Sequence, residues 1–309
     1  MTFHVPTFSE NRLNIFRAIC HGASSTSIIA RSTGLSEMTV QRAVHQMRDL
    51  DLVLTHRERT VRIEPATSGQ AVALRQFIMA EKSSLDMIIG AKLLVLLSLL
   101  SAPKDLKRIS LETRLKRETV RVLTWKLRSL GALSTEGDFM ILSPSYPALS
   151  KFLTGFSAGV DDRAMKGLAK DGVMLWTGGL EFIFASRTDP VPASVRLTGP
   201  SAMASYGIEL IAGQRYYHCS YWDEELGVEE IAIHSILIDP RSARGIGHSI
   251  LLLKKAGYDR ARLLKTSAYA GIQDAVSAAL DRLEGRPSNH PFLPNEEELN
   301  ELFRQYGVL

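Results

Sequence analysis

A stretch of the chain between positions 36 and 45 carries side chains whose hydrogen-bonding groups match the edges of nucleic-acid bases. Gln41 can form two hydrogen bonds with adenine, Arg42 can donate two to guanine, and Thr39 can reach a phosphate or a thymine methyl group. Apolar residues recur through the same stretch at helical spacing, so the polar side chains should occupy the outward face of a helix. The candidate contact residues here are Ser36, Met38, Thr39, Gln41, Arg42 and His45.

Arginines gather in the segment that follows. Two strand-like runs, 52–54 and 61–63, flank a polar stretch and are predicted to form a two-stranded hairpin. Arg57, Arg59 and Arg62 would then lie on a wing that suits contact with a DNA backbone or minor groove. The competing interpretation is that these arginines are ordinary solvated side chains, as residues in charge runs usually are.

The whole segment recurs 80 positions later in the chain. Residues 13–55 align with residues 93–135 without a gap, and Thr39-Val40 falls on Thr119-Val120. Two copies are too few for a solenoid, whose repeats bury their faces by stacking in longer arrays. The sequence therefore predicts a tandem pair of small domains. The candidate contact residues of the second copy are Lys116, Arg117, Thr119, Arg121 and Lys126.

Three helices must position these side chains in each copy. In the first copy, apolar spacing predicts a helix over residues 10–21, and residues 24–26 offer a cap for a short second helix. Gly34 is free to adopt a positive φ at the end of the second helix, and Ser36 caps a third. Helix, short helix, turn, helix and hairpin is the order of a winged helix-turn-helix. The apolar face of the third helix is predicted to consist of Val40, Ala43, Val44 and Met47.

Residues 30–44 resemble the MarR- and ArsR-type winged-helix regulators. The turn Thr33-Gly34-Leu35-Ser36 precedes Thr39-Val40-Gln41-Arg42, which is similar to the family's recognition-helix pattern T-V-x-R, and residues 112–121 carry the pattern in the second copy. The resemblance implies a sequence-specific, DNA-binding transcriptional regulator whose partner is double-stranded DNA. We also expect a homodimer.

The second copy departs from this pattern on its outward face. Val122 and Trp125 stand where the first copy has Arg42 and His45, and the hairpin that follows is acidic. An apolar pair on a recognition helix usually marks a protein contact. Two roles are therefore open for the second copy: DNA binding through its basic turn, or a dimer or interdomain surface.

The charge of the chain is unevenly distributed. Residues 1–160 hold 21 Lys and Arg against 13 Asp and Glu, whereas residues 161–309 hold 16 against 20. A basic half joined to an acidic half is expected when one part meets phosphates and the other does not. This distribution favours nucleic acid as the partner of the first half.

The most apolar stretch, 87–100, is too short for a membrane span and contains Lys92. We interpret residues 71–100 as the long first helix of the second copy, and expect no membrane partner. The N-terminus has no signal-peptide pattern, and Cys20 and Cys219 fall in different predicted domains. These features favour a reducing, cytoplasmic setting without disulfides.

The fold class predicted for the whole chain is α+β, in four parts. Winged helices over residues 1–80 and 81–158 precede a mixed α/β domain over 159–285 and a tail with a helix over 286–309. In the third part, strands are predicted at 173–176, 195–197, 216–221 and 230–238. Helices are predicted at 180–185, 198–206, 249–256 and 272–283, with the last helix of the chain at 296–306.

Catalytic patterns do not assemble in the third part. Gly178-Gly179 ahead of a predicted helix resembles the start of a nucleotidyltransferase fold, but Asp189 has no second carboxylate to help hold Mg²⁺. The acidic cluster is predicted to be a solvated turn; its members are Glu224, Glu225, Glu229 and Glu230. Residues 244–248 lack the rest of a phosphate-loop fingerprint. The histidines expected to be isolated and structural are His218, His234 and His248. No enzyme activity, cofactor or metal is therefore expected.

One further resemblance concerns the helix start Thr198-Gly199-Pro200-Ser201-Ala202. Such a "T-G-x-S-A" start, behind an N-terminal winged helix, is similar to the AbiE-type antitoxins of type IV toxin–antitoxin systems. This resemblance implies an autorepressor that neutralises a nucleotidyltransferase-type toxin. Two alternatives belong to other classes: an adaptor whose winged helices bind protein, or a nucleic-acid-processing enzyme whose acidic residues are far apart in sequence.

Overall fold

The computed structural model describes residues 5–57, 61–80, 82–190, 195–211, 213–222 and 225–308. The chain forms two compact units. Its fold class is α+β, as predicted. The N-terminal unit comprises Val5–Leu100 and Asp105–Val160. The C-terminal unit comprises Ser101–Lys104 and residues 161–308 of the described chain.

The first copy contains the predicted helices and hairpin. Its elements are α1 (Glu10–Cys20), α2 (Thr26–Thr33), α3 (Glu37–Asp49), β1 (Val53–Arg57) and β2 (Val61–Pro65). Strands β1 and β2 pair antiparallel. The hydroxyl groups of Ser9, Ser25 and Ser36 each accept a hydrogen bond from a backbone N–H in the first turn of the helix that follows. These caps explain why the three helices begin where they do.

The prediction of one long helix over residues 71–100 is wrong. The chain instead forms α4 (Gly69–Ala80), a 3₁₀ helix (Lys82–Ile88) and α5 (Ala91–Ser98). The cause of the break before α5 is Gly90, whose φ of +61° leaves the helical region and whose N–H donates to the carbonyl oxygen of Phe8 at 2.8 Å. Lys92, two residues later, is buried, and its ammonium group lies 2.5 Å from Asp86.

The second copy repeats the helices and the first strand of the first copy at an interval of 80 residues, and its hairpin is shorter. It consists of α5 with α6 (Leu106–Thr113), α7 (Arg117–Ser129), β3 (Leu133–Glu136) and β4 (Phe139–Leu142). The two left-handed positions are also repeated, with the residue types exchanged. Gly34 has a φ of +70° and Arg114, its equivalent, +57°, while Asp51 has +50° and its equivalent Gly131 has +74°. The repeat therefore preserves the turns even where glycine is absent.

An aromatic cluster joins the two copies into one unit. Helix α8 (Pro147–Leu168) begins in the N-terminal unit and continues past residue 160. Its Phe152 ring stacks on Phe77 of α4 with 5.6 Å between centroids, and its Phe156 ring lies 5.2 Å from Phe8. These rings are buried, so the segment between the copies shares one core with the start of α8.

The C-terminal unit is built on a four-stranded sheet. Its strands are β5 (Val173–Thr177), β6 (Glu181–Ser186), β7 (Val195–Leu197) and β8 (Arg215–Ser220), in the order β5-β6-β8-β7. Each neighbouring pair is antiparallel. One short helix, α9 (Gly199–Ala202), follows β7 and continues into a 3₁₀ turn (Met203–Tyr206). The remaining helices are α10 (Val228–Ile238), α11 (Ala243–Ala256), α12 (Arg260–Ala270), α13 (Gln273–Leu283) and α14 (Glu296–Gln305).

Two predictions for this unit are reversed. Residues 180–185, predicted as a helix, belong to strand β6, and residues 230–238, predicted as a strand, belong to helix α10. Strand β6 is buried on both faces and α10 is buried almost all round, so neither shows the periodicity that distinguishes the two structures. Gly178-Gly179 consequently forms the turn of the β5–β6 hairpin, with Gly179 at a φ of +90°.

The acidic residues at the start of α10 do not form a solvated turn. Glu229 and Glu230 are buried. Glu230 accepts hydrogen bonds from the Gly227 N–H and from Arg262, and Glu229 accepts one from the Asp259 N–H at 2.7 Å. Carboxylates at a helix N-terminus complement its partial positive charge, so the pair anchors a helix that has little contact with water.

Within the described ranges, no helix combines the length and the apolar character needed to cross a membrane.

Close packing of α10 against α11 generates a stability prediction. A Cβ on Gly245 would lie 2.9 Å from the Ser235 carbonyl oxygen and 3.1 Å from that of Asp239. Gly245→Ala should therefore lower the free energy of unfolding by about 1–3 kcal/mol through overpacking. Gly247→Ala is the matched control, because its Cβ would come no closer than 3.6 Å to Pro294 and alanine favours helix by up to about 1 kcal/mol. Urea denaturation of both variants measures the difference; equal stabilities would contradict the close approach.

The left-handed conformation of Arg114 generates a second stability prediction. A non-glycine residue in this region costs about 1–2 kcal/mol, whereas glycine costs about 0.5–1 kcal/mol in backbone entropy. Arg114→Gly should thus raise the free energy of unfolding by about 0.5–1 kcal/mol, and Gly34→Ala at the equivalent position should lower it. Thermal denaturation tests both. Loss of stability in Arg114→Gly would mean that the arginine side chain stabilises the turn by more than the strain costs.

Candidate nucleic-acid interface and a buried histidine cluster

The outward face of α3 carries the predicted contact residues. Met38, Gln41, Arg42 and His45 are exposed, and Thr39 is half-buried. The opposite face is buried, as predicted, and consists of Val40, Ala43, Val44 and Met47. The sequence pattern therefore assigned the two faces of this helix correctly.

Ser36 acts first as a helix cap. Its hydroxyl oxygen accepts a hydrogen bond from the Thr39 N–H at 3.2 Å and lies 2.9 Å from the Thr39 hydroxyl. Both side chains are therefore held at the N-terminus of α3, where backbone N–H groups and the helix dipole favour an anion such as a phosphate.

Arg42, an exposed cation on α3, has a weak intramolecular partner. One guanidinium nitrogen of Arg42 lies 3.4 Å from the sulfur of Met38, and a thioether is a weak acceptor that does not neutralise the charge. His45, one turn later, lies 3.1 Å from the Asp49 carboxylate, and both are well exposed. The residues best suited to meet a ligand on this face are thus Gln41 and Arg42.

In the wing of the first copy, the structure describes the side chain of one of the three predicted arginines, Arg62. Arg62 is exposed, but its Nε lies 3.7 Å from Glu64, which also binds Nε2 of His56 at 2.8 Å. Arg57 ends β1 opposite Val61. Arg59 lies outside the described residues. Glu64 thus partly offsets the charge of Arg62 near the turn of the hairpin.

The second copy presents a different surface on the same backbone. Lys116 and Arg117 are exposed at the start of α7, while Thr119 and Lys126 are exposed along it. Arg121 donates two hydrogen bonds to Glu118, at 2.9 and 2.6 Å, and this contact lowers the pKa of the Glu118 carboxyl and raises that of Arg121. Arg121 is therefore paired within its own helix.

The apolar pair of the second copy is exposed, as predicted. Val122 is 41% and Trp125 66% exposed. They lie on the face of α7 that corresponds to Arg42 and His45 on α3. The face that would read bases in the first copy is thus apolar in the second.

The C-terminal unit contains a cluster that the sequence did not suggest. One potential ligand atom from each of Glu181, His218 and His234 lies within 4.8 Å of the others, and this is the one such group of three found among the described residues. The expectation that His218 and His234 are isolated is therefore wrong. The ligands come from β6, β8 and α10, and the interval between them in sequence follows no metal motif, so no spacing rule could have found them.

The cluster is buried and tightly connected. Glu181, His218 and His234 are 9%, 3% and 6% exposed. Nε2 of His218 lies 2.9 Å from a carboxylate oxygen of Glu181, and the two imidazole rings are 4.6 Å apart. Nδ1 of His234 lies 2.6 Å from the hydroxyl oxygen of Thr198.

His248 is buried in α11 apart from this cluster. Residues 244–248, which resemble a glycine loop in sequence, form the first turns of this helix. Desolvation, reinforced by the charge of Arg244, lowers the pKa of His248 to about 4. The imidazole is consequently neutral at physiological pH.

This shift predicts a pH dependence of stability. The folded-state pKa of His248 lies below the ordinary value of about 6.5, so its contribution is complete above pH 6.5 and is lost as the pH falls toward 4. The wild type should lose up to about 3 kcal/mol more than His248→Gln over this interval. Urea denaturation at a series of pH values measures the two slopes; parallel slopes would contradict the assignment.

Part of the chain is similar to a known protein family. A family model described as HVO_2833_C, C-terminal, matches residues 193–308, so the similarity covers less than half of the chain. The matched segment includes His218 and His234 but not Glu181. No curated protein matches the chain.

Proposed function

We propose that the protein is a DNA-binding transcriptional regulator that contacts double-stranded DNA through its first winged helix-turn-helix copy. The observation that carries this proposal is the outward face of α3, where Gln41 and Arg42 are exposed beside the capped helix N-terminus. In a winged helix-turn-helix, the third helix enters the major groove with its N-terminal residues nearest the bases. Gln41 and Arg42 would then read adenine and guanine.

The charge distribution supports the same proposal. Residues 1–160 have eight more basic than acidic residues, and the second half of the chain has the opposite sign. Neutralisation of phosphates by lysine and arginine supplies most of the affinity of a protein for DNA. The basic start of α7 would add phosphate contacts, while Arg62, partly offset by Glu64, would add fewer than an unpaired arginine.

A protein-contact role is the second candidate, and it applies to the second copy. The observation that favours it is the exposure of Trp125 beside Val122, because an apolar pair loses free energy in water and suits a dry interface. In this proposal the second winged-helix copy binds a partner protein or another molecule of the same chain, while the first winged-helix copy reads DNA. The homodimer and the nucleotidyltransferase-type toxin remain predictions from the sequence.

Equivalent positions of the two copies provide the test. The full chain is used to select bound fragments from a genomic pool, and affinity for the selected site and for random DNA is measured by fluorescence anisotropy at several salt concentrations. Arg42→Ala should weaken binding to the selected site by about 1–3 kcal/mol and binding to random DNA very little. Val122→Ala, at the matching position of α7, should change neither affinity.

Both substituted side chains are exposed, so circular dichroism should show unchanged folding. An equal loss on both DNAs would reduce Arg42 to a phosphate contact and contradict base reading. A loss with Val122→Ala would contradict the protein-contact role of the second copy. No binding to any DNA at low salt would reject the regulator and leave the adaptor.

A further inference from the structure

We propose that Glu181, His218 and His234 form a binding site for a divalent transition-metal ion, with Zn²⁺ as the best chemical match. Two imidazoles and one carboxylate constitute a ligand set that binds Zn²⁺ in proteins, with a fourth position available to water or another small ligand. Imidazole nitrogens exclude Mg²⁺ and Ca²⁺ as preferred ions, since both take oxygen ligands.

The sheet brings the first two ligands together. Glu181 lies opposite Ser220, and His218, two residues earlier on β8, lies opposite Ile183. Glu181 and His218 are therefore diagonal neighbours on one face, because side chains two residues apart in a strand point the same way. Their 2.9 Å contact is close to the separation of about 3.4 Å that two ligands have at a tetrahedral zinc ion, so the ion would replace the bridging proton with little movement.

Helix α10 supplies the third ligand on this face. Ile183 of β6 shares one core cluster with Ile231 and Ile233 of α10, so the helix packs on the face that carries Glu181 and His218. The hydroxyl oxygen of Thr198 can accept a hydrogen bond from Nδ1–H of His234 across their 2.6 Å contact. That arrangement leaves Nε2 of His234 unprotonated for a metal, which is how an outer hydrogen bond normally fixes a metal-binding histidine.

The burial of the cluster fits a bound ion. His218 and His234 are more than nine-tenths buried and the Glu181 side chain is 12% exposed, and a buried ionisable cluster is stabilised when a cation compensates its charge. Arg196 lies opposite His218 on β7 and lines an open cleft of about 550 Å³ with Ser201, Tyr206 and Ile231. The three ligands are not among the residues that line this cleft.

The test is a titration of the chelator-treated full chain with Zn²⁺, monitored by competition with a chromophoric chelator. We expect one ion per chain and a metal-dependent rise in melting temperature. His218→Gln and His234→Gln should abolish both effects. His248→Gln, which removes a buried histidine outside the cluster, should keep both. Thr198→Val retains all three ligands and should weaken binding by about 10–100-fold.

Co²⁺ provides a measurement that does not depend on the folding of the ligand variants. In the wild type it should give the intense visible absorption of a four-coordinate ion, and Thr198→Val should lower its affinity. The proposal is overturned by a wild type that binds no stoichiometric Zn²⁺, by binding that persists in folded His218→Gln and His234→Gln, or by a weak six-coordinate Co²⁺ spectrum unaffected by Thr198→Val.

Discussion

The N-terminal unit depends on the hydrogen-bonded turn between the second and third helices of each copy. One residue there must adopt a left-handed conformation, so that the chain reverses and the next helix begins three residues later. The Leu35 N–H bonds back to the Ala30 carbonyl at 3.2 Å, and the Thr33 hydroxyl donates to the Ile29 carbonyl at 2.7 Å. The equivalent Thr113 makes the same contact with Ile109 at 2.6 Å. This turn fixes which face of the third helix is buried and which meets solvent.

Because the turn is preserved, the two copies could diverge on the surface without altering the backbone. Val40 and Val120 are both fully buried, as are Met47 and Leu127. By contrast, the outward positions differ: Arg42 and His45 of the first copy correspond to Val122 and Trp125 of the second. Core positions are constrained by close packing, whereas exposed positions are constrained only by what they bind. The two copies therefore share a scaffold and present chemically different surfaces on it.

The C-terminal unit differs from the N-terminal unit because its structure depends on polar groups that are buried and paired. Glu229 and Glu230 anchor α10 through Arg262 and backbone N–H groups. Glu181 and His218 meet inside the same unit. Removing charged groups from water is costly unless each finds a partner, so such pairs specify one arrangement of sheet and helix. A bound cation would serve the same purpose at the histidine cluster.

The sequence by itself determined the N-terminal unit to a large degree. An 80-residue repeat, serine caps and amphipathic spacing predicted α1 nearly to the residue and the starts of α2 and α3, because each of these signals acts locally and each helix has one face in water. The break at Gly90 was missed, since the bond from Gly90 to Phe8 joins residues 82 positions apart. Only the tertiary structure decided that β6 is a strand and α10 a helix. Both are buried on all sides, which removes the periodicity that local analysis needs. The tertiary structure alone also brought Glu181, His218 and His234 together, because cross-strand register and helix packing, not spacing along the chain, set their distances.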